Sequence, residues 1–304
     1  MRSLQGLAYH IRRVIGQLWC ASPRRSAGPV ELGGMVKSSD TVRIAAVGDI
    51  HLGGKGYDAP LQLLFGQVSE HADVLALCGD LTDRGEPEEA KLMARALASV
   101  TVPIVAVLGN HDYESGKESE VSKILCDAGI HVLDGESHEV LGIGFAGVKG
   151  FAGGFGRRAL GPWGEELIKR FVREALDEAL KLETALGQLR TERKVALLHY
   201  SPIAATVDGE PLEIYPYLGS SRLEEPLSRY PVDVVFHGHA HHGSPEGRTM
   251  GNVPVYNVSM VLLKQTYPDQ PAFRVVELPV GPRTESQDSL AGVTRLRRVT
   301  DRRA

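Results

Sequence analysis

The apolar positions of the first half of the chain fall into short unbroken runs, Val42–Val47, Asp73–Leu77 and Pro103–Leu108, each stopped by Gly followed by Asp or Asn. Runs of this length, bounded by turn residues, predict buried strands. Between them the pattern changes to helical spacing, near Pro60–His71, Pro87–Ser99 and Glu118–Ala128. Glu88 and Glu89 fall in the first turn of the second of these, where carboxylates favour the helix dipole. Strand alternating with helix predicts an α/β architecture.

After residue 130 the pattern is different. Ile130–Leu133, Glu139–Gly142 and Phe145–Val148 are short and closely spaced, as antiparallel strands are. A glycine-rich loop follows at 150–164, carrying Arg157, Arg158 and Trp163. A long amphipathic helix is predicted from Glu165 to Arg190, with Leu167, Phe171, Leu176, Leu180 and Leu186 on its apolar face. Strand Val195–Leu198 ends at His199, and a Pro- and Tyr-rich insertion occupies Pro202–Gly219. A strand pattern ending at Phe236 runs into His237-Gly238-His239-Ala240-His241-His242. Val253–Val258 and Phe273–Leu278 read as closing strands. There is no repeat of fixed period, so residues 41–280 are expected to form one α/β domain with a mixed sheet system.

The flanks read differently. Residues 281–304 are polar and arginine-rich, the composition of a disordered tail. Residues 1–40 form an extension whose end, 21–41, is a Ser-, Pro- and Gly-rich linker. Within it Leu4, Leu7, Ile11, Val14, Ile15 and Leu18 are helically spaced among Arg2, Arg12 and Arg13, with no acid before Glu31. Two readings stand: a membrane-surface or transit-like helix, and a dispensable extension, with Met35 as an alternative start. Arg12 and Arg13 interrupt the apolar region, which argues against a secretory signal. No apolar run reaches the roughly 18–20 residues that span a bilayer.

Composition narrows the class without deciding it. The chain has 304 residues, 42% hydrophobic and 24% charged, with a net charge of -4. This is ordinary for a globular protein with a large core, and it lacks the basic excess of a nucleic-acid binder. Cys20, Cys78 and Cys126 are few and widely spaced and read as reduced thiols of a cytoplasmic protein.

The candidate chemistry collects where strands end. Asp49 and His51 share one face by their i, i+2 spacing, and Asp with His suits a borderline divalent metal. Asp80 follows the second strand, and a carboxylate's two oxygens can bridge two ions. Asp83 and Arg84 add an orienting acid and an anion contact. Asn110 offers a neutral oxygen, with His111 and Asp112 beside it. His199 stands alone after its strand, and His239 and His241 repeat the i, i+2 relation. Each group alone has a plainer explanation: a capping acid, an Asx turn, a half-buried structural histidine. Together they occupy successive strand ends, where ligands gather in open α/β sheets.

This order of motifs, Asp49-Ile50-His51, Gly79-Asp80, Gly109-Asn110-His111-Asp112, His199 and Gly238-His239-Ala240-His241, resembles the signature of the calcineurin-like metallophosphoesterases. The resemblance spans residues 42–260 and implies a four-layer α/β/β/α sandwich of two mixed β-sheets flanked by helices. It implies that Asp49, His51 and His241 hold one metal, that Asn110, His199 and His239 hold another, and that Asp80 bridges them. His111 would face the substrate phosphate and leaving-group oxygen, leaving His237 and His242 to flank the motif. Gly79–Gly85 further resembles a block of the Ser/Thr protein phosphatases, in which the equivalents of Asp83 and Arg84 orient the catalytic histidine and contact phosphate. The stretch Gly48–Gly53 departs from the pattern of those phosphatases, so a protein phosphatase is not inferred.

The function implied is hydrolysis of a phosphate mono- or diester by a hydroxide bridging two divalent ions, with His111 as acid and Asp83 or Asp112 positioning its ring. Mixed Asp, Asn and His ligands suit Mn, Fe or Zn. The expected partner is a small phosphorylated substrate, with nucleotides and cyclic nucleotides among the candidates. A nuclease is disfavoured by the absence of a basic, aromatic strip. The competing class is a catalytically inert binding or scaffold module on the same fold, which would be expected to lose ligand positions. Tyr200, Glu213, Tyr215 and Tyr217 are candidates for a specificity wall, and Lys149, Arg157 and Arg158 for anion contacts. Oligomeric state is left open.

Overall fold

The structure is a computed structural model and describes residues 41–53 and 59–280. The expected extension at 1–40 and tail at 281–304 lie outside the described residues. Strands β1 (Thr41–Val47), β2 (Val74–Cys78), β3 (Ile104–Val107) and β4 (His131–Val132) alternate with helices α1 (Ala59–His71), α2 (Pro87–Leu97) and α3 (Glu118–Asp127). β5 (Glu136–Val140) and β6 (Ile143–Gly147) precede the long helix α4 (Glu166–Gln188) and β7 (Arg193–Leu197). Short helices α5 (Tyr215–Leu218) and α6 (Glu224–Arg229) lead to β8 (Val234–His237), β9 (Glu246–Arg248), β10 (Pro254–Asn257), α7 (Met260–Thr266) and β11 (Arg274–Pro279).

Two mixed sheets result, ordered β11-β1-β2-β3-β4 and β5-β6-β7-β8-β10-β9. In the first, β1 to β4 are parallel, and β11 returns antiparallel to β1 with Thr41 opposite Pro279. In the second, β6, β7, β8 and β10 are parallel, with β5 and β9 antiparallel at the two edges. The closely spaced strands after residue 130 are therefore antiparallel only at the β5–β6 hairpin. β4 joins the first sheet in parallel, and β6 pairs in parallel with β7.

The period-2 alternation of side chains sorts the strand residues into layers. Val42, Ile44, Ala46, Val74, Ala76, Cys78, Val105 and Val107 face Ile143, Phe145, Val195, Leu197, Val234 and Phe236 across the gap between the sheets. The alternate residues Ala45, Val47, Leu75, Leu77 and Ala106 pack against α1, α2 and α3 through Phe65, Met93 and Leu125. On the other side Ala196, Leu198 and Val235 pack on Leu182, Leu186 and Leu227 of α4 and α6. The architecture is the four-layer α/β/β/α sandwich, with apolar cores on both faces of each sheet, which is why the strands read as unbroken apolar runs.

Cys78 is buried and free. Among the described residues no helix is long and apolar enough to cross a membrane.

Candidate metal centre

The C-terminal ends of β1, β2, β3, β7 and β8 meet along one edge of the sandwich. The loops there are tied together by their own main chain. Asp49 N–H donates to Gly79 O at 3.0 Å, and Ile50 and His51 N–H both donate to Asp80 O, at 2.9 and 3.0 Å. Gly238 N–H donates to His199 O at 3.1 Å. Among the described residues six non-glycine residues have positive φ, and four are Asp49, His51, Asp80 and His239. Such backbone costs about 1–3 kcal/mol per residue and persists where surrounding contacts enforce it, typically at functional sites. The glycines of the motifs make room for these loops. A Cβ on Gly109 would overlap the Asp80 carboxylate, and one on Gly238 would overlap that of Asp49.

Two groups of ligand-type atoms lie within 4.8 Å of one another: Asp49, His51 and His241, and Asp80, His199 and His239. His241 Nε2 stands 3.1 Å from Asp49 Oδ1. His199 Nε2 is 3.4 Å from Asp80 Oδ2 and 2.8 Å from Asn110 Oδ1. His51 Nε2 lies 3.7 Å from Asp80 Oδ2, so the Asp80 carboxylate stands between the groups. All seven expected ligands therefore converge from five strand ends.

The second contacts of the rings fix which nitrogen is free. His199 Nδ1–H donates to Cys78 O at 3.0 Å, which leaves Nε2 for a ligand. His239 Nε2–H donates to Tyr217 O at 3.1 Å, so Nδ1 keeps the lone pair. Burial pushes His239 down to about 3 and also lowers His51. His51 Nε2 is buried and has no hydrogen-bond partner. Burial also opposes charge on His199, but the adjoining Asp80 carboxylate outweighs it and raises the ring to about 9. Burial likewise opposes charge on Asp80 and Asp49, and neighbouring histidines lower both carboxyls nonetheless. A neutral, orphaned imidazole nitrogen beside two buried carboxylates is a donor set that fits divalent cations.

The sequence agrees with this geometry: residues 42–243 match the family described as calcineurin-like phosphoesterase. The chain belongs to that family. The family is metal-dependent, so this member is a metallophosphoesterase by descent. Among solved structures it is similar to a phosphopantetheinyl hydrolase from Mycobacterium tuberculosis, with TM-score 0.56 and 14% identity over 77% of this chain and 95% of that one. It also resembles GAP50, the anchor in the inner membrane complex of Plasmodium, with TM-score 0.49 and 13% identity over 78% and 81% of the two chains. A putative 5'-nucleotidase from Staphylococcus aureus gives TM-score 0.47 and 12% identity over 83% and 57%. At these identities the first likeness shows the fold alone, and the other two carry no weight. No curated protein matches the sequence.

The residues expected to act on substrate fare unevenly in this family member. His111 lies edge-on to His51, ring centroids 4.5 Å apart, and its Nδ1–H donates to the main-chain O of Asp83 at 2.7 Å. The Asp83 carboxylate lies in a further group with His51 and His111, ligand atoms within 4.8 Å. Arg84 is exposed, its Nε 3.7 Å from Asp83 Oδ2. Asp112 does not position the His111 ring. Its buried carboxylate instead accepts the N–H groups of Leu81, Thr82 and Gly109 and the Thr82 hydroxyl. Lys149 is no anion contact either. It is buried, donates to Gly150 O at 2.8 Å, and its ammonium sits 5.0–5.3 Å from the rings of Tyr113, Phe151 and Tyr200. Sequence reasoning missed the main-chain carbonyls of Cys78, Asp83 and Tyr217, which orient three of the histidines, because a backbone acceptor leaves no mark on residue type. It also missed the buried bond from His237 Nε2 to Thr206 Oγ1 at 2.8 Å, which ties the histidine stretch to the insertion.

Proposed function

We propose that the protein is a binuclear metal-dependent hydrolase of small phosphate mono- or diesters, nucleotide esters included. The observation that carries this reading is the convergence of Asp49, His51, Asp80, Asn110, His199, His239 and His241, with the His51 nitrogen buried and unpaired. Asp49, His51 and His241 would hold one ion, Asn110, His199 and His239 the other, and Asp80 both. When bound, Mn, Fe or Zn ions supply Lewis acidity toward phosphoryl oxygens and a water acidic enough to attack near neutral pH.

The chain's own residues do the rest. His111 is partly exposed at the mouth of the site and gives the leaving-group oxygen its proton. The Asp83 carbonyl fixes the tautomer of that ring by accepting from Nδ1–H, so Nε2 faces outward. The exposed guanidinium of Arg84 is available to a phosphate oxygen. The complete set of ligand positions favours an enzyme over an inert scaffold.

The test is hydrolysis of bis(p-nitrophenyl) phosphate and p-nitrophenyl phosphate with added Mn²⁺, by wild type and Asp80→Ala. Metal-dependent turnover that the substitution removes is expected. A metal-loaded protein inactive on both esters and on a panel of nucleotides would instead establish the scaffold reading, and the diester-to-monoester ratio divides the enzyme subclasses.

A further inference from the structure

Exposed apolar side chains collect on two segments that the main chain links to the metal site. Leu160, Trp163, Leu167 and Ile168 are exposed on one segment, and Leu212, Ile214 and Tyr217 on another. Trp163 is 73% and Leu167 75% accessible. The two segments are joined. Gly153 N–H donates to Pro216 O at 2.7 Å, and Leu160 N–H donates to Gly153 O at 2.8 Å. A Cβ on Gly154 would lie 3.6–3.7 Å from the Cα atoms of both Pro216 and Ala159. The second segment reaches the site itself, since Tyr217 O accepts from His239 Nε2.

The first segment also projects from the body. Residues 162–170 are all exposed, although 166–170 already belong to α4. A helix packed on a sheet buries one stripe of its surface. Here the opening turns bury none, and they leave Leu167 and Ile168 exposed a few residues after Trp163. Charge on the same segment is biased. Residues 156–173 carry five basic residues (Arg157, Arg158, Lys169, Arg170, Arg173) against two acids (Glu165, Glu166), in a chain of net charge -4. Arg170 and Arg173 pair along the helix with Glu166 and Asp177 at 3.3 and 3.2 Å. Among the described residues Arg157, Arg158 and Lys169 form no ion pair.

Tryptophan and aliphatic side chains standing proud among unpaired arginines and lysine match the composition of a surface that seats in the headgroup layer of an anionic membrane. We propose that the face formed by Leu160, Trp163, Leu167 and Ile168, ringed by Arg157, Arg158 and Lys169, docks on an anionic lipid surface. The apolar side chains enter the interface while the basic ones are drawn to the net negative charge of the headgroup layer, so binding requires anionic lipid.

The experiment uses the full chain with Trp19→Phe, which leaves Trp163 the sole tryptophan. Phosphatidylcholine vesicles with and without phosphatidylglycerol are titrated while Trp163 emission is followed, with brominated lipids as quencher. The expected result is a blue shift and quenching with the anionic vesicles only. Arg157→Ala with Arg158→Ala should weaken partitioning about thirtyfold, from the usual attraction per basic residue near such a surface. These exposed positions leave the core untouched, and the readout is independent of catalysis, so its failure is distinct from failure of the enzyme reading. Three results would overturn the proposal: unshifted Trp163 emission, including binding carried elsewhere in the chain; equal partitioning to neutral vesicles; or concentration-dependent self-association abolished by Leu167→Ser, which would assign the face to a second copy.

Discussion

The side chains of His199 and Asn110 meet at 2.8 Å, Nε2 to Oδ1, although one follows a strand of the second sheet and the other a strand of the first. This contact closes the gap between the sheets at the metal centre. Without metal the bond needs a proton on Nε2, because Nδ1–H already donates to Cys78 O. Both atoms of the bond are candidate ligands of one ion, so metal replaces that proton.

A pH dependence follows. Burial disfavours charge on His199, but Asp80 holds its pKa up at about 9. At pH 7 the metal-free ring is charged, and binding at Nε2 must release its proton. Metal affinity should therefore rise about tenfold per pH unit as pH approaches 9 and level off above it. Calorimetric titration of Mn²⁺ or Zn²⁺ into the metal-free protein, in buffers of different ionisation enthalpy, reads the proton directly. Absence of proton release at pH 7 would count against His199 as a ligand.

His111 should matter for turnover and not for metal content. Its Nδ1–H is spent on Asp83 O, and it belongs to neither of the two expected ligand groups. His111→Ala should lower kcat by ~10²–10⁴-fold with bound metal unchanged. The loss should be larger for an alkyl phosphate than for p-nitrophenyl phosphate, since the poorer leaving group depends more on protonation. Kinetics on both esters alongside metal analysis make the comparison. Equal losses on the two would exclude His111 as the acid.

The glycines divide into those that fill a need and those that do not. Gly109 abuts the Asp80 carboxylate and main chain, so Gly109→Ala should destabilise by about 1–3 kcal/mol or more, as overpacking does. It should also weaken metal binding. Gly66, exposed within α1, has nothing within 4 Å of its would-be Cβ. Gly66→Ala should stabilise by roughly 0.5–1 kcal/mol. Thermal melts of the pair test the sign of both effects.

What the sequence revealed tracks what residue type encodes. Val74–Cys78 and Ile104–Val107 are buried on both faces, so their apolar runs announced them. The metal-type residues were legible because each followed such a run. By contrast Glu246-Gly247-Arg248 has neither alternation nor β-branched residues and is a strand only through pairing with β10. Met260–Thr266 is too short for helical periodicity to show. Lys149 looked like an anion contact because position alone placed it near a glycine-rich loop, and only the packing of Tyr113, Phe151 and Tyr200 around it shows otherwise.

Asp112 is the least visible of the residues on which the site depends. Its Oδ1 accepts Thr82 N–H at 2.8 Å and the Thr82 hydroxyl at 2.6 Å, and its Oδ2 accepts Leu81 N–H at 3.2 Å and Gly109 N–H at 2.8 Å. Four donors on one buried carboxylate join the loop that carries Asp80 to the loop that carries Asn110. An amide has one oxygen, so in Asp112→Asn the NH₂ group must face backbone N–H donors whichever way it turns. At least one buried N–H then loses its acceptor, at about 1–3 kcal/mol for each such group. Loosening the two loops should lower metal affinity by about 10–100-fold, the range typical of groups that orient ligands without binding metal. Thermal denaturation and metal titration of Asp112→Asn against wild type measure both. A variant with unchanged melting and unchanged metal affinity would mean that the Asp80 and Asn110 loops are held by their main-chain bonds alone.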